Sequence, residues 1–326
     1  MTDQNSVKSV ALTTYNGERY LSEQLRSLAE QTLLPDELVV CDDVSTDNSV
    51  AVLEEFAEWA PFPVRILINE TNLGYSQNFN RALRSVSGDY VFPCDQDDVW
   101  FPTKIEEMLE VLKGNPEVQV IIHDLEYCKS DLTPIGQTKI ERMRDSFDLQ
   151  RSYVVGMATV IRRDFLDRCL PVPNAKGISF DDWIHRCAAF AGVKKVFPKV
   201  LAFYRRHSSN TTASGSLNVD YVTTPQHFKK RRWRNFQVRT PASQSGQVFL
   251  RWIEREWIFL AGVIGETELS ASYQRLLREE DFKRAREVVW NTPRWKRLRL
   301  VLRHWQKGGY QLASGWRSAA KDLLVN

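Results

Sequence analysis

No run of eighteen apolar residues occurs in the 326-residue chain, and its mean hydropathy is −0.39, so no segment reads as a membrane-crossing helix. Cysteine is scarce. Cys41, Cys94, Cys128, Cys169 and Cys187 lie far apart with no CxxC pair, which argues against a zinc knuckle or a disulfide framework and leaves reduced thiols. The opening MTDQNSVKSV lacks the basic-then-apolar layout of a signal peptide, so a protein that stays in the cytoplasm is expected. Neither GxGxxG nor GxxxxGK[ST] is present, and nicotinamide-binding and P-loop readings lose their main support. Internal repeats and low-complexity tracts are absent as well.

What is present suffices for one large core or two modest ones, at 43% hydrophobic and 26% charged residues. The net charge of +3 hides an asymmetry. Residues 221–326 carry 21 Lys and Arg against 9 Asp and Glu, a net +12, while the remainder carries 23 against 32, a net −9. Seven of the ten tryptophans also fall in that last third. A composition break near 215–225 divides an acidic front domain, residues 1–220, from a basic, aromatic-rich rear, residues 221–326.

The front reads as alternating strands and helices. Val7–Leu12 is a short β-branched run, and Glu18–Gln31 then puts Tyr20, Leu21, Leu25 and Leu28 on one helical face. Strands follow at Glu37–Cys41, Val64–Ile68, Tyr90–Pro93 and Val118–His123, with helices at Ser49–Trp59, Gln77–Val86 and Lys104–Leu112. This order predicts an α/β fold with a mostly parallel sheet covered by helices on both faces.

Ligands of such sheets bind beyond the carboxyl ends of the strands. Those ends carry Thr13-Thr14-Tyr15-Asn16-Gly17, Asp42-Asp43-Val44-Ser45-Thr46-Asp47, Asn69-Glu70-Thr71-Asn72-Leu73-Gly74 and Cys94-Asp95-Gln96-Asp97-Asp98-Val99-Trp100. Singly, these are an ordinary turn, a helix cap and a solvated acidic loop. Jointly they crowd carboxylates at one edge. Asp95, Asp97 and Asp98 repel one another unless a cation is present, and a divalent metal with phosphate is the natural guest.

In this order and spacing, TTYNG, VVCDDVSTDNS, NLGYSQNFNRAL and GDYVFPCDQDDVWFP resemble the landmarks of family 2 glycosyltransferases, inverting enzymes of GT-A fold. The likeness covers about residues 7–210, and DQDDVW resembles the bacterial branch that includes rhamnosyltransferases of surface polysaccharide synthesis. It implies a Rossmann-like GT-A domain with a nucleotide-sugar half over about 1–125 and an acceptor half over about 126–220. Thr13 and Tyr15 would then contact the base, and Asp43 would accept the imide N–H of a uracil or thymine, with Asp42 as the neighbouring candidate. Asn72, Gly74 and Asn78 would close over base and ribose. Asp95-Gln96-Asp97 fits the family's DxD motif for Mg2+ or Mn2+ on the donor diphosphate. Asp97 would coordinate directly, and Asp95 and Asp98 would serve ribose, sugar hydroxyls or metal-bound water. Trp100 would wall the sugar pocket or pack in the core.

Further along, Arg151–Met157 resembles the acceptor-lining stretch, with Gly156 allowing close approach. Ser179-Phe180-Asp181-Asp182-Trp183 resembles the family's acidic residue and aromatic at a helix start. Inversion by direct displacement needs one base for the acceptor hydroxyl and no covalent intermediate. Asp182 is the first choice and Asp181 the second, one capping the helix while the other reacts. Leu201–Asn210 resembles the segment closing the donor site, which implies His207 as a metal ligand and Arg205 or Arg206 near phosphate.

The rear carries Lys229-Lys230-Arg231-Arg232-Trp233-Arg234, an aromatic helical pattern from Phe249 to Ile264 and the basic amphipathic segment Arg294–Trp305. Such helices suit an anionic membrane surface, with a solvated bundle or an oligomer contact as the plainer use. A nucleic-acid partner is not expected, because the acidic front would repel a phosphate backbone. The implied function is metal-dependent transfer of a sugar, first L-rhamnose from dTDP-rhamnose, to a lipid-linked glycan acceptor at the cytoplasmic face of the inner membrane. The rivals are a UDP-hexose or UDP-N-acetylhexosamine transferase, a catalytically idle nucleotide-sugar-binding scaffold, and a nucleotidyltransferase, whose glycine- and lysine-rich opening loop is lacking.

Overall fold

The computed structural model describes residues 6–143, 148–175, 177–207, 244–312 and 315–324. The basic run at 229–234 and Ser208–Asn210 lie outside them. The chain divides into two compact units, with Ile178–Val219 joining Met1–Asn174 in the first and Asp220–Asn326 forming most of the second.

The first unit runs β1 (Lys8–Thr14), α1 (Glu18–Ala29), β2 (Glu37–Asp42), α2 (Ser49–Trp59), β3 (Val64–Ile68), α3 (Tyr75–Ser85), β4 (Tyr90–Cys94), β5 (Val99–Trp100) and α4 (Lys104–Lys113). It continues with β6 (Val120–Cys128), β7 (Pro134–Thr138), α5 (Lys139–Arg142), α6 (Leu149–Ser152), β8 (Thr159–Arg162), α7 (Arg163–Cys169), α8 (Phe180–Phe190) and β9 (Lys194–Arg205). One sheet takes the order β3-β2-β1-β4-β8-β6-β9-β5, with β7 paired to β6. Consecutive residues of β1, β2 and β4 are buried, and since side chains alternate between faces, both faces must be covered. Helix α1 supplies Leu21, Leu25 and Leu28 to the core, and α4 supplies Ile105, Met108, Leu109 and Leu112.

Strands β3, β2, β1 and β4 are all parallel, as expected. The other half is mixed. Strand β8 runs antiparallel to both β4 and β6, while β6 and β9 are parallel and β5 pairs antiparallel to β9. Strand order reverses around β1, so the ends of β1, β2 and β4 meet at one edge: Thr14 is level with Asp42, and Leu12 with Cys94.

Helix α3 begins at Tyr75 rather than Gln77, because Gly74 at φ 78° turns the chain just before it. Trp100 packs in the core under the Lys104 ammonium, which sits 3.4 Å from its ring centroid. It therefore does not wall the cavity. All five cysteines are buried, with no disulfide among them.

The described residues of the second unit are helical: Gln244–Arg255, Trp257–Ile264, Glu266–Trp290, Arg294–Gln306 and Trp316–Leu324. Phe249, Trp252, Ile253 and Leu260 are buried, so much of the first aromatic pattern is packing. A second core joins Phe282, Val289, Val301, Tyr310 and Ala319. Beside it, the buried Asp322 carboxylate accepts from Arg286 at 2.6 and 2.7 Å, Trp290 Nε1 at 2.7 Å and the Tyr310 hydroxyl at 2.9 Å. Among the described residues, no helix is long and apolar enough to cross a membrane.

Candidate active site

A cavity of about 660 Å³ opens at the edge where β1, β2 and β4 end, and Thr13, Tyr15, Asp43, Asn72, Gly74, Asn78, Asp95, Asp97 and Asp181 all line it. Four strand-end segments and the start of α8 thus converge on one space.

At the nucleotide end, the half-exposed ring of Tyr15 offers a stacking face. Its main chain is clasped by Gln96, which accepts from Tyr15 N at 2.8 Å and donates to Tyr15 O at 3.1 Å. A Cβ at Gly17 would overlap the end of the Gln96 side chain and push it off the Tyr15 main chain. The Asp43 carboxylate accepts from Asn69 Nδ2 at 2.6 Å, Leu73 N at 2.7 Å and Gly74 N at 2.9 Å. Its Oδ2 takes only the last of these and retains capacity for a donor in the cavity.

Asp42 faces the other way. Fully buried, it accepts from Thr14 Oγ1 at 2.7 Å and from Ser45 N and Oγ at 2.8 and 2.5 Å, so it ties β1 to the β2 loop and does not line the cavity. Asn78 lines the floor with its amide spent on Cys41 O and Asn69. Asn72 braces the loop by donating to Asp43 O at 3.1 Å.

At the centre, Asp95 and Asp97 face the cavity. Burial, then Asp97 and then Asp181, push the Asp95 carboxyl well above the ordinary carboxylate range. Asp98 does not reach the space. It is fully buried, its Oδ1 accepts from Arg205 N at 3.0 Å, and its Oδ2 has no hydrogen-bond partner among the described residues. Arg205 is likewise structural: its Nε donates to the Asp97 carbonyl at 2.7 Å, its other nitrogens reach Ser130 O and Glu23, and its plane lies over Tyr20. Behind this cluster Lys104 is buried, donates to Met157 O at 2.5 Å and is pulled down to about 7 chiefly by desolvation.

His207 stands beside Asp97 rather than in the cavity lining. Its Nε2 is 2.8 Å from Asp97 Oδ2, and its ring packs 4.6 Å from that of Tyr20. Among the described residues no three His, Cys, Asp or Glu side chains form a ready chelating cluster. Two cavity-facing carboxylates, Asp95 and Asp97, nevertheless fit a cation of the Mg2+ class, which takes one or two protein carboxylates and fills its remaining positions with phosphate and water.

On the far side, the order of the two helix-start acids is reversed. Asp181 lines the cavity, whereas Asp182 is exposed one residue, about 100°, further round the helix. At the start of α8 the Asp182 N–H is shared, donating to Ser179 Oγ at 3.3 Å and to Asp181 Oδ1 at 3.0 Å. Gly156 is required here, because a Cβ would overlap the Phe180 ring. Phe180 in turn stacks on Phe79 of α3 at 3.9 Å and lies 5.5 Å from Tyr75.

The lining also holds Tyr75, Tyr127 and Lys139, to which sequence reading gave no role, together with Gln96 of the DxD motif, Val154 and Val155 of the expected acceptor stretch, and Tyr204 and Arg206, in preference to Arg205, of the segment that starts at Leu201. Arg206 is buried with its Nε unpartnered among the described residues, 5.6 Å from the Tyr204 ring centroid. Burial depresses the Lys139 ammonium, and the Asp181 charge opposes that shift. Alternation along β9 was the available signal: Tyr204 and Arg206 are two apart, whereas Arg205 between them points to the opposite side.

The model for glycosyl transferase family 2 matches residues 9–170. An uncharacterized glycosyltransferase of Haemophilus influenzae is 33% identical over 260 residues, covering 71% of this chain and 80% of that protein. An uncharacterized glycosyltransferase of Nostoc is 32% identical over 218 residues, covering 64% and 67%. The dTDP-rhamnosyl transferase RfbG of Shigella flexneri is 28% identical over 213 residues, covering 61% and 72%. Against the Nostoc protein and three mycobacterial relatives the chain spans 59 to 67% of their length. The crystal structure of Staphylococcus aureus TarS 1–349 in complex with UDP-GlcNAc superposes with a TM-score of 0.56 at 18% identity, covering 97% of this chain and 88% of that one, a likeness of fold.

Proposed function

The chain belongs to glycosyltransferase family 2, and from that premise we propose that it transfers a sugar from a pyrimidine nucleoside diphosphate donor to a hydroxyl of a lipid-linked glycan acceptor during surface polysaccharide synthesis. The single observation that carries this reading is the meeting of Asp43, Asp95, Asp97 and Asp181, from three separate segments, around one cavity.

Tyr15 stacks on the base while Asp43 Oδ2 accepts its imide N–H. The Gln96 clasp fixes the Tyr15 main chain to the acidic centre, so base and diphosphate are held at a set separation. Asp95 and Asp97 would hold Mg2+ or Mn2+, which when bound offsets charge on the leaving diphosphate. His207 orients the Asp97 carboxylate through its Nε2 contact. Arg206 and Lys139 supply desolvated cations to anionic groups on the acceptor side. Asp181 takes the proton of the acceptor hydroxyl as its oxygen attacks the anomeric carbon, on the face opposite the diphosphate.

dTDP-rhamnose is the first donor proposed, supported by the likeness to RfbG; a UDP-linked hexose or N-acetylhexosamine is the alternative, supported by the fold shared with a UDP-GlcNAc complex. The acceptor places the enzyme peripherally at the cytoplasmic face of the inner membrane, reached through the basic rear. A thermal-shift panel of dTDP- and UDP-sugars with Mn2+ tests the reading: the true donor raises Tm by mass action, and chelation by EDTA removes most of that rise. Asp97→Ala should weaken metal-dependent donor binding. Retention of full turnover by both Asp97→Ala and Asp181→Asn would overturn the site.

A further inference from the structure

The helix Arg294–Gln306 exposes a continuous apolar stripe. Trp295 is 79% exposed, Leu298 54%, Leu302 51% and Trp305 48%. Their spacing of three, four and three residues places them along one side of the helix. The opposite side is used already. Val301 and Arg297 are buried, and Arg297 fastens the helix by donating from Nε to Thr292 O at 2.8 Å and from Nη2 to Trp290 O at 2.9 Å. The stripe is therefore surplus to the unit's own core.

Charge selects what covers it. Lys296, Arg299, Arg303 and Lys307 are exposed around the stripe, and the helix contains no Asp or Glu. A second copy of this helix would bring like charges together, which disfavours self-pairing. Tryptophans stand at both ends of the stripe, about 15 Å apart at 1.5 Å per residue, and such rings suit the headgroup level of a bilayer. We infer that this helix lies flat on an anionic phospholipid surface, with Trp295, Leu298, Leu302 and Trp305 at the acyl boundary and the flanking cations among the headgroups. The inference deepens the membrane-side part of the proposed function without depending on its sugar chemistry.

The test is co-sedimentation of the full chain with phosphatidylglycerol-containing vesicles and with pure phosphatidylcholine vesicles. Binding is expected to the first and much less to the second, and to weaken with salt. Trp295→Glu with Leu302→Glu should lower partitioning by about tenfold or more, and Arg299→Glu with Arg303→Glu by a similar factor. Each variant should keep the wild-type Tm and nucleotide response, which separates loss of binding from loss of fold. Absence of wild-type binding to anionic vesicles, or equal binding to neutral ones, overturns the inference even if the nucleotide response stands. So does an apolar double variant that leaves vesicle binding intact but converts a dimer to a monomer by light scattering.

Discussion

Asp181 and Asp182 differ only by their rotation about the axis of α8, and on the proposed reading that difference separates the base from its neighbour. Pairing them was possible from Ser179-Phe180-Asp181-Asp182-Trp183; ranking them was not, because 100° per residue decides which one faces the cavity. Asp181→Asn should leave nucleotide binding intact and lower transfer by about 10²- to 10⁴-fold, whereas Asp182→Asn should keep transfer within a few fold, both read by single-turnover assay. Side-chain direction likewise separates Asp43 from Asp42 and Arg206 from Arg205: all four are buried, and only Asp43 and Arg206 line the cavity. Lys104 has a measurable consequence of its own. Its ammonium titrates near 7 when folded and near 10.5 ordinarily, so between those values the unfolded chain holds the proton more firmly. Stability from this group thus falls as pH drops from 10 to 7, by at most about 1.4 kcal/mol per pH unit. Lys104→Met removes the dependence, so the variant's stability relative to wild type should rise as pH is lowered across that window. A difference constant with pH, in denaturant titrations at pH 7, 8.5 and 10, would refute the assignment.

Among elements, β1 to β4 and their helices were legible because each carries its own periodicity and the βαβ order leaves little choice of pairing. Strands β5 and β7 were not. The first is two residues long and depends on β9, nearly a hundred residues later, and the second is an exposed partner of β6. The Tyr127 and Lys139 side chains were missed for the same reason, since they reach the cavity from these long-range pairings. The turn before α3 illustrates an element-scale constraint. Gly74 sits at φ 78° with open space around the place of a Cβ, so Gly74→Ala meets no clash but adopts a left-handed conformation. With ψ at 157° this is a region that essentially only glycine enters, and the cost is about 1–3 kcal/mol. Because Gly74 N donates to Asp43, nucleotide affinity should fall severalfold in isothermal titration while Tm declines modestly.

At the scale of the molecule, the break in charge and tryptophan content near residue 220 foreshadowed two units, but the internal bracing of the rear was invisible. Asp322 is an isolated acid in a basic segment, yet it accepts from Arg286, Trp290 and Tyr310 inside the fold. Asp322→Ala leaves the Arg286 guanidinium without its partner and should cost the rear unit about 3–5 kcal/mol. Calorimetry should show an earlier transition that nucleotide does not move, with the nucleotide-stabilised transition of the front unit retained.

The rings of Tyr75, Phe79 and Phe180 make α3 and α8 a single mechanical part, backed by the bare backbone of Gly156. Grafting a donor loop from a relative with another sugar preference would therefore disturb Asp181, the proposed base, unless the trio and its glycine travelled with it. Exchange of specificity in this enzyme is a matter of transplanting that block, not of repainting a pocket wall.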